Sequence, residues 1–427
     1  MSSKVKSPSA TGDVSAFVPE LRFPEFIGHA VQELQLADVT TESTERNGAG
    51  HVPSQVMGVS KVDGIVPMEA RIISADTARY KVVRKDWFAY NPMRLNIGSI
   101  ARWQGDSDIL VSPDYVVFKC KITGPHRLNP AYLDHFRRSE AWEEVVSEKG
   151  DGSVRVRIYY KDLARLRLAL PSFPEQQKIA ECLDSADELI EAQVRKVELL
   201  RAHKGGLMQQ LFPQGGETKP CVRFPEFRHA EAWGEVALGE IAEIKLGKML
   251  DQKKNTTGRL LPYLNNISVR WNEVNTSDLP LMYFEDSELE RFGLKAGDVL
   301  VCEGGEPGRA AVWDGRLPDL KFQKAVHRVR FRVPFEPQLL VLYLEALAGT
   351  SRFEMLFTGG GIRHLTRETF SRLKVPVIPG KEQRRIVGCF SSLSDLIAAE
   401  TRKLDTLKTH KEGLMQQLFP SVVAVDA

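Results

Sequence analysis

A chain of 427 residues exceeds what one ordinary hydrophobic core organises and points to two domains of about 150 residues each, plus connecting material. Hydrophobic residues make up 42% and charged residues 27%, with a mean hydropathy of -0.25, which excludes the disordered and membrane classes. No apolar run nears the roughly 18 to 20 residues of a membrane span. Net charge is only +2, because 58 Lys and Arg nearly cancel 56 Asp and Glu, so any surface for nucleic acid must be local.

Residues 1 to 20 open with MSSKVKSPSATGDVSAF, which has no apolar stretch followed by a small-residue cleavage site. They read as a disordered tail, not a secretory signal. Cys120, Cys182, Cys221, Cys302 and Cys389 form no CxxC pair and no cluster with His, which fits a reducing cytoplasm.

A first module, residues 21–172, alternates short β-branched and aromatic runs (YKVVRKDWFAY, YVVFKCKI, VRVRIYY) with Pro, Gly and Asn turns, and carries a helix at AYLDHFRRSEAWEEVV. This predicts a mixed α/β domain with a twisted sheet. Asn129-Pro130-Ala131-Tyr132 lies one residue from the NPP[YF] signature by which amino-methyltransferases hold a flipped base. No glycine turn between a parallel strand and a helix accompanies it to bind a cofactor, and the segment sits where a turn opens a helix. Catalysis there is set aside.

The first long helix is predicted over residues 173–213, bracketed by Pro174 and Pro213. Ile179, Leu183, Ala186, Ile190, Val197, Leu200, Leu207 and Leu211 fall on alternating three- and four-residue steps, interrupted at Gln193 and Lys204. Such a narrow apolar seam needs a partner helix, and polar breaks in it fix register. Gly205 and Gly206 should favour fraying or a kink near the end.

A second module, residues 214–379, places strands at LGEIAEIKLG, GDVLVCE and HRVRFRV, with helices near FEPQLLVLYLEALAG and LTRETFSRL. A second long helix follows at 380–420, bracketed by Pro379 and Pro420. Its seam is Ile386, Phe390, Leu393, Ile397, Leu404, Leu407, Leu414 and Leu418, interrupted at Glu400 and Lys411, with Gly413 near its end and a tail at 421–427. HKGGLMQQLFP at His203 returns as HKEGLMQQLFP at His410, an offset of 207 residues, and RFPEF at Arg22 returns at Arg223. Two divergent modules therefore ride on one duplicated scaffold. The matched seams predict an antiparallel coiled coil relating the modules by an approximate two-fold axis, each helix about 57 Å long.

Basic, amide and aromatic residues interleave in loops of both modules, as readers of base edges require, since Arg or Lys matches guanine and Asn or Gln adenine. The candidates are Arg84, Lys85, Asn91, Arg94, Asn96 and Arg102 in module one, and Lys245, Lys248, Asn265, Asn266, Arg270, Arg309, Lys324 and Arg363 in module two. A solvated charged surface is the plain alternative. The nine histidines form no HExxH and no Cys/His metal spacing, so neither a metal site nor a catalytic residue is assigned. His203 and His410 read as structural.

Together the divergent module, the Pro-rich lead into Glu-Gln (PSFPEQQKIA, PGKEQRRIV) and the helix ending LMQQLFP resemble the specificity subunit of Type I restriction-modification systems. LPYLNNISV, LKAGDVLVCEGGEPGRAAVW, GGGIRHLTRETFSRLKVPVIP and YNPMRLNIGSIA are similar to that family as well, although module one lacks the GD-containing stretch of module two. The resemblance implies two target recognition domains, each reading half of a split, asymmetric double-stranded DNA sequence, with the helices as a ruler between them. It further implies docking of two methyltransferase subunits and, through them, of motor-nuclease subunits. S-adenosylmethionine, ATP and magnesium then belong to the partners, with no cofactor in this chain. A competing reading is a coiled-coil adaptor whose modules bind proteins, which a salt-dependent mobility shift separates from DNA binding.

Overall fold

The structure is a computed structural model that describes residues 19–419 apart from 49, 62, 70–72, 74–75, 149–156, 214–216, 218, 252–255 and 359–362. The predicted tail at 1–20 thus lies almost wholly outside the described residues. The chain forms two units: unit 1 comprises positions up to 194 with those from 402 onward, and unit 2 comprises 195–401.

Unit 1 is built on a four-stranded antiparallel sheet in the order Thr40–Ser43, Val116–Cys120, Trp87–Tyr90, Ile100–Arg102. Phe88, Tyr90 and Phe118 on its inner face are fully buried against Leu36, Leu133 and Leu163. A two-stranded ribbon, Gln32–Gln35 with Arg167–Leu170, closes the module next to the long helix. Unit 2 repeats this plan, with the sheet order Ala242–Leu246, Val326–Phe331, Val299–Cys302, Ala310–Val312 and the ribbon Gly234–Ala237 with Lys374–Val377. It adds a three-stranded sheet of Leu281–Phe284, Arg259–Leu264 and Lys321–Phe322, whose own core includes Phe284, Trp313 and Phe322.

Equivalent turns show how far the repeat extends. Gly297 N donates to Trp313 O at 2.9 Å, and Asp86 N donates to Trp103 O at 2.8 Å. Gly297 (φ 88°) and Asp86 (φ 66°) both occupy the left-handed region, which Asp tolerates better than most residues. The turn marked by Gly-Asp in module two is therefore present in module one, written as Asp86-Trp87.

Three local expectations are corrected. The helix foreseen at AYLDHFRRSEAWEEVV is two helices, Pro130–Phe136 and Glu140–Glu148. Ser139 separates them: its Oγ donates to Phe136 O at 2.6 Å and accepts from Trp142 N at 3.4 Å. Part of the strand foreseen at VRVRIYY lies outside the described residues; the remainder is not a strand, and Tyr160–Leu163 is helical because Asp162 accepts from Tyr159 N. LGEIAEIKLG begins as a short helix, Leu238–Ile241, and becomes a strand only at Ala242.

The long helices run unbroken over Phe173–Leu211 and Gly380–Leu418, and the helical hydrogen-bonded run continues through Gly205, Gly206 and Gly413. At 39 residues, each is about 58 Å long. Every seam position is buried or half-buried. Within unit 1, Leu418 and Phe419 join Ile179, Ala180 and Leu183 in the core, and Lys411 Nζ meets Asp187 at 2.5 Å. Within unit 2, Leu211 and Phe212 join Ile386 and Phe390, and Lys196 meets Glu400 at 2.7 Å. In both units a late segment of one helix faces an early segment of the other, so the pairing is antiparallel. The polar seam residues are matched: Lys411 and Glu400 by these pairs and Lys204 by Glu345 at 3.2 Å, while Gln193 is 6% exposed.

The Glu-Gln pair opening each helix has a structural task. Glu175 accepts both Arg22 Nε (2.7 Å) and Nη2 (2.5 Å), and Glu382 accepts Arg223 Nε (2.8 Å) and Nη2 (2.7 Å). Gln176 accepts from Asn129 N at 2.9 Å and donates to the Pro171 carbonyl at 2.9 Å. Gln383 likewise accepts from Glu336 N at 2.8 Å and donates to the Ile378 carbonyl at 2.7 Å. Each pair thus locks its helix to the RFPEF arm and to the turn that starts a module helix. Asn129 caps the helix Pro130–Phe136 and Tyr132 is buried, so the NPAY segment serves packing.

Candidate nucleic-acid interface

In unit 1 the candidate residues divide between the two ends of the strand Trp87–Tyr90. At one end, Arg84 pairs with Glu45 at 2.6 Å and lies over the Trp87 ring, and Lys85 pairs with Asp106 at 2.7 Å, a hydrogen bond that raises the lysine pKa. Arg102 reaches the same turn, 3.3 Å from Asp86, but its side chain is largely buried and also faces Asp134 at 3.7 Å. Burial pushes the Asp134 carboxyl up, and Arg137, Arg138 and Arg102 together overcome this and hold its pKa below the ordinary value. Arg102 is therefore an internal structural cation and not an accessible base reader.

At the other end, Asn91 Oδ1 accepts from Met93 N at 3.0 Å, and buried Leu95 anchors the short turn Leu95–Ile97. That turn presents Met93, Arg94, Asn96 and Ile97 to solvent. Apolar and polar side chains side by side on a pinned loop suit a base edge, where a thymine methyl and a hydrogen-bonding group are neighbours.

Unit 2 builds the corresponding end of its sheet differently. Asn265 Oδ1 accepts from Ile267 N (2.9 Å) and Ser268 N (3.1 Å), a turn that leaves Ile267 75% exposed. Asn266 Nδ2 donates to Gly304 O at 3.3 Å, and Arg309 Nη2 donates back to Asn266 O at 2.7 Å. The 265–268 and 303–309 loops are thereby one surface. Glycine is favoured at 305, where φ is +80°, and a Cβ there would also push on the Asn266 amide, 2.6 Å away. His364 Nδ1 lies 3.1 Å from Glu303, bringing Arg363 to the same surface, where it pairs with Glu354 at 2.5 Å. Arg270 is exposed on the neighbouring hairpin Val269–Arg270 with Glu273–Val274.

Lys248 stands apart from this group. Its side chain is 10% exposed, and its ammonium is taken up by Glu288 (2.5 Å) and the Tyr283 carbonyl (2.8 Å), so it ties two strands together inside the unit. Lys245, paired with Glu243 at 2.8 Å, and exposed Lys324 instead line one open groove. The hydrogen bond from Lys245 holds the Glu243 carboxyl below its usual pKa. Arg291, Arg332 and Arg367, which were absent from the sequence candidates, line the same groove or its continuation. Alternation in HRVRFRV gave no signal, since it places Arg328, Arg330 and Arg332 on one face, although Arg328 is 1% exposed and Arg332, just past the strand end at Phe331, is exposed.

Residues 230–409 match the family described as the Type I restriction modification DNA specificity domain. The chain is 22% identical over 364 residues to the putative type I restriction enzyme MjaX specificity subunit of Methanocaldococcus jannaschii, covering 82% of this chain and 81% of that one. It is 22% identical over 293 residues to the type I restriction enzyme MjaVIII specificity subunit of the same organism, covering 66% of this chain and 68% of that one. Its fold is shared with the S subunit of a Type-I restriction-modification system from M. genitalium, with a TM-score of 0.54 and 15% identity across 95% of this chain and 100% of that chain. Residues 230–409 thus match the Type I restriction modification DNA specificity domain, and the chain is similar along most of its length to Type I restriction enzyme specificity subunits.

Proposed function

We propose that this chain is the non-catalytic, sequence-reading subunit of a Type I restriction-modification complex and recognises a bipartite, asymmetric double-stranded DNA target with a fixed spacer. Each module reads one half-site. The observation that carries this reading is that the two sheets have the same strand order, yet one end of each presents unlike loops, Asn91–Gly98 in module one and Glu303–Arg309 with Asn265–Ser268 in module two. A common scaffold with different side chains at the same place is what reading two different sequences requires. Methyltransferase subunits, carrying S-adenosylmethionine, and restriction subunits, using ATP and magnesium, act at the site that this chain selects.

The unbroken 39-residue helices support a ruler, because a continuous helix transmits a length that a flexible linker would not. Mapping modified bases in cells carrying the chain and its modification subunit should reveal two unlike half-sites at one spacing. Inserting four residues, about one helical turn, into the first long helix should alter the spacer and leave both half-sites intact. Unchanged spacing in an active variant would count against the ruler, and a single continuous target would count against the division of labour.

A further inference from the structure

We propose that a cationic groove on unit 2 is a track for the sugar-phosphate backbone of duplex DNA, contacted by Lys245, Arg291, Lys324, Arg332 and Arg367. This inference rests on the reading of the chain as a DNA-recognising subunit and identifies the face by which module two grips its target. The groove consists of two adjoining depressions of about 510 and 360 Å³, which share Lys245, Arg367 and Glu368. Five cations line it against two carboxylates, Glu243 and Glu368. Lys245 is matched by Glu243 at 2.8 Å and Arg367 by Glu368 at 3.4 Å. Among the described residues, Arg291, Lys324 and Arg332 have no carboxylate within 4.0 Å, and all three are exposed. A surplus of unmatched positive charge is thus concentrated here, in a chain whose overall charge is only +2.

The walls are held from within. Arg328 is 1% exposed and donates to Glu243 at 3.0 Å, to the Gly293 carbonyl at 2.8 Å and to the Arg291 carbonyl at 3.3 Å. One buried guanidinium therefore joins the strand carrying Lys245 to the turn carrying Arg291. Beside it, Arg330 is held by both oxygens of Asp298 at 2.7 Å. The cations consequently stand on a fixed frame, as a ligand with a regular charge spacing requires.

The position and lining select the occupant. Glu303 N donates to Ala325 O at 2.9 Å, and Lys324 N donates to Lys248 O at 2.9 Å, so the Lys324 end of the groove lies at the same sheet end as the 303–309 loop, while Arg332, beyond Phe331, marks its far end. A duplex whose bases meet that loop would lay a phosphate strand alongside. Single strands are held largely by stacking on exposed aromatic rings. The aromatic in this lining, Phe292, is only 6% exposed, which disfavours that mode.

Titrations of the full chain, by fluorescence anisotropy, against a duplex carrying its mapped target and a scrambled duplex at 50 to 400 mM KCl test the groove. The triple variant Arg291→Gln, Lys324→Gln, Arg332→Gln should bind both duplexes more weakly by the same factor. Its slope of log affinity against log salt should flatten by about 0.9 for each lost phosphate contact, about 2.7 in all. The charge-keeping variant Arg291→Lys, Lys324→Arg, Arg332→Lys should retain the wild-type slope. An unchanged slope in the folded glutamine variant would overturn the groove while leaving the DNA reading intact. A loss confined to the target duplex would overturn the backbone assignment, because such residues would be reading bases. Failure of the wild-type chain to bind any duplex would overturn the DNA reading, and the groove with it.

Discussion

Glu382 is fully buried, and its charge is answered from several sides: Arg223 donates twice to it, and Trp233 Nε1 donates at 3.2 Å. Arg223 also spends Nη1 on the carbonyls of Ala230 and Glu231, so its guanidinium is nearly saturated. Removing one partner of such a pair leaves the other desolvated and unmatched, which typically costs about 3–5 kcal/mol, whereas replacing both by apolar groups costs far less. Glu382→Ala should therefore destabilise unit 2 by about 3 kcal/mol or more in urea titrations, and Arg223→Met with Glu382→Leu by much less. A single-mutant cost below about 1 kcal/mol would show that solvent reaches the pair. At this scale the sequence was legible only in part. RFPEF and Glu-Gln stood out as repeated strings, but nothing linear joins Arg223 to Glu382 across 159 residues. For the same reason Arg102 and Lys248 read as surface cations: a charged side chain in a polar-looking run gives no sign that a distant carboxylate encloses it.

The helices were the most legible elements, because seam spacing, bracketing prolines and length all depend on neighbours in sequence. Their glycines weakly favour a break, yet the helical run continues through each of them. A Cβ at Gly205, Gly206 or Gly413 would meet nothing within 4 Å. Gly205→Ala and Gly413→Ala should each stabilise the chain by about 1 kcal/mol and raise the melting temperature of the affected unit by about 2–4 °C in calorimetry. A lowered melting temperature would mean that the backbone there is strained. The sheets were less legible, because their strands run only two to six residues, too few for alternation to fix an edge. The Asp86 turn escaped notice altogether, because the left-handed residue that is Gly297 in module two is an aspartate in module one.

At the scale of the whole chain, the duplication is not two beads on a string. Unit 2 is the single stretch 195–401, but unit 1 is assembled from both the early and the late parts of the chain. Leu21 N donates to Gln417 O at 3.0 Å, as Val222 N does to Gln210 O at 3.0 Å in unit 2. Each arm thus docks on the end of a long helix: for unit 2 that helix immediately precedes the arm, and for unit 1 it lies some four hundred residues later. Phe419, 5% exposed, packs edge-on against Tyr132 at 5.2 Å and against Phe136 at 5.4 Å, and Leu418 is 2% exposed beside them. Losing two such side chains together removes about 3–6 kcal/mol of apolar burial from unit 1 and opens a cavity as well. A chain ending at Thr401 should therefore lose protease resistance and its thermal transition in unit 1 while unit 2 keeps both. A permuted chain, with residues 419 and 19 joined by a flexible linker and new ends opened within 214–216, should keep both transitions, since every contact named here survives that change in connectivity. Protection of module one in the truncated chain would mean that its core closes without the late segment, and the shared construction of unit 1 would then be wrong.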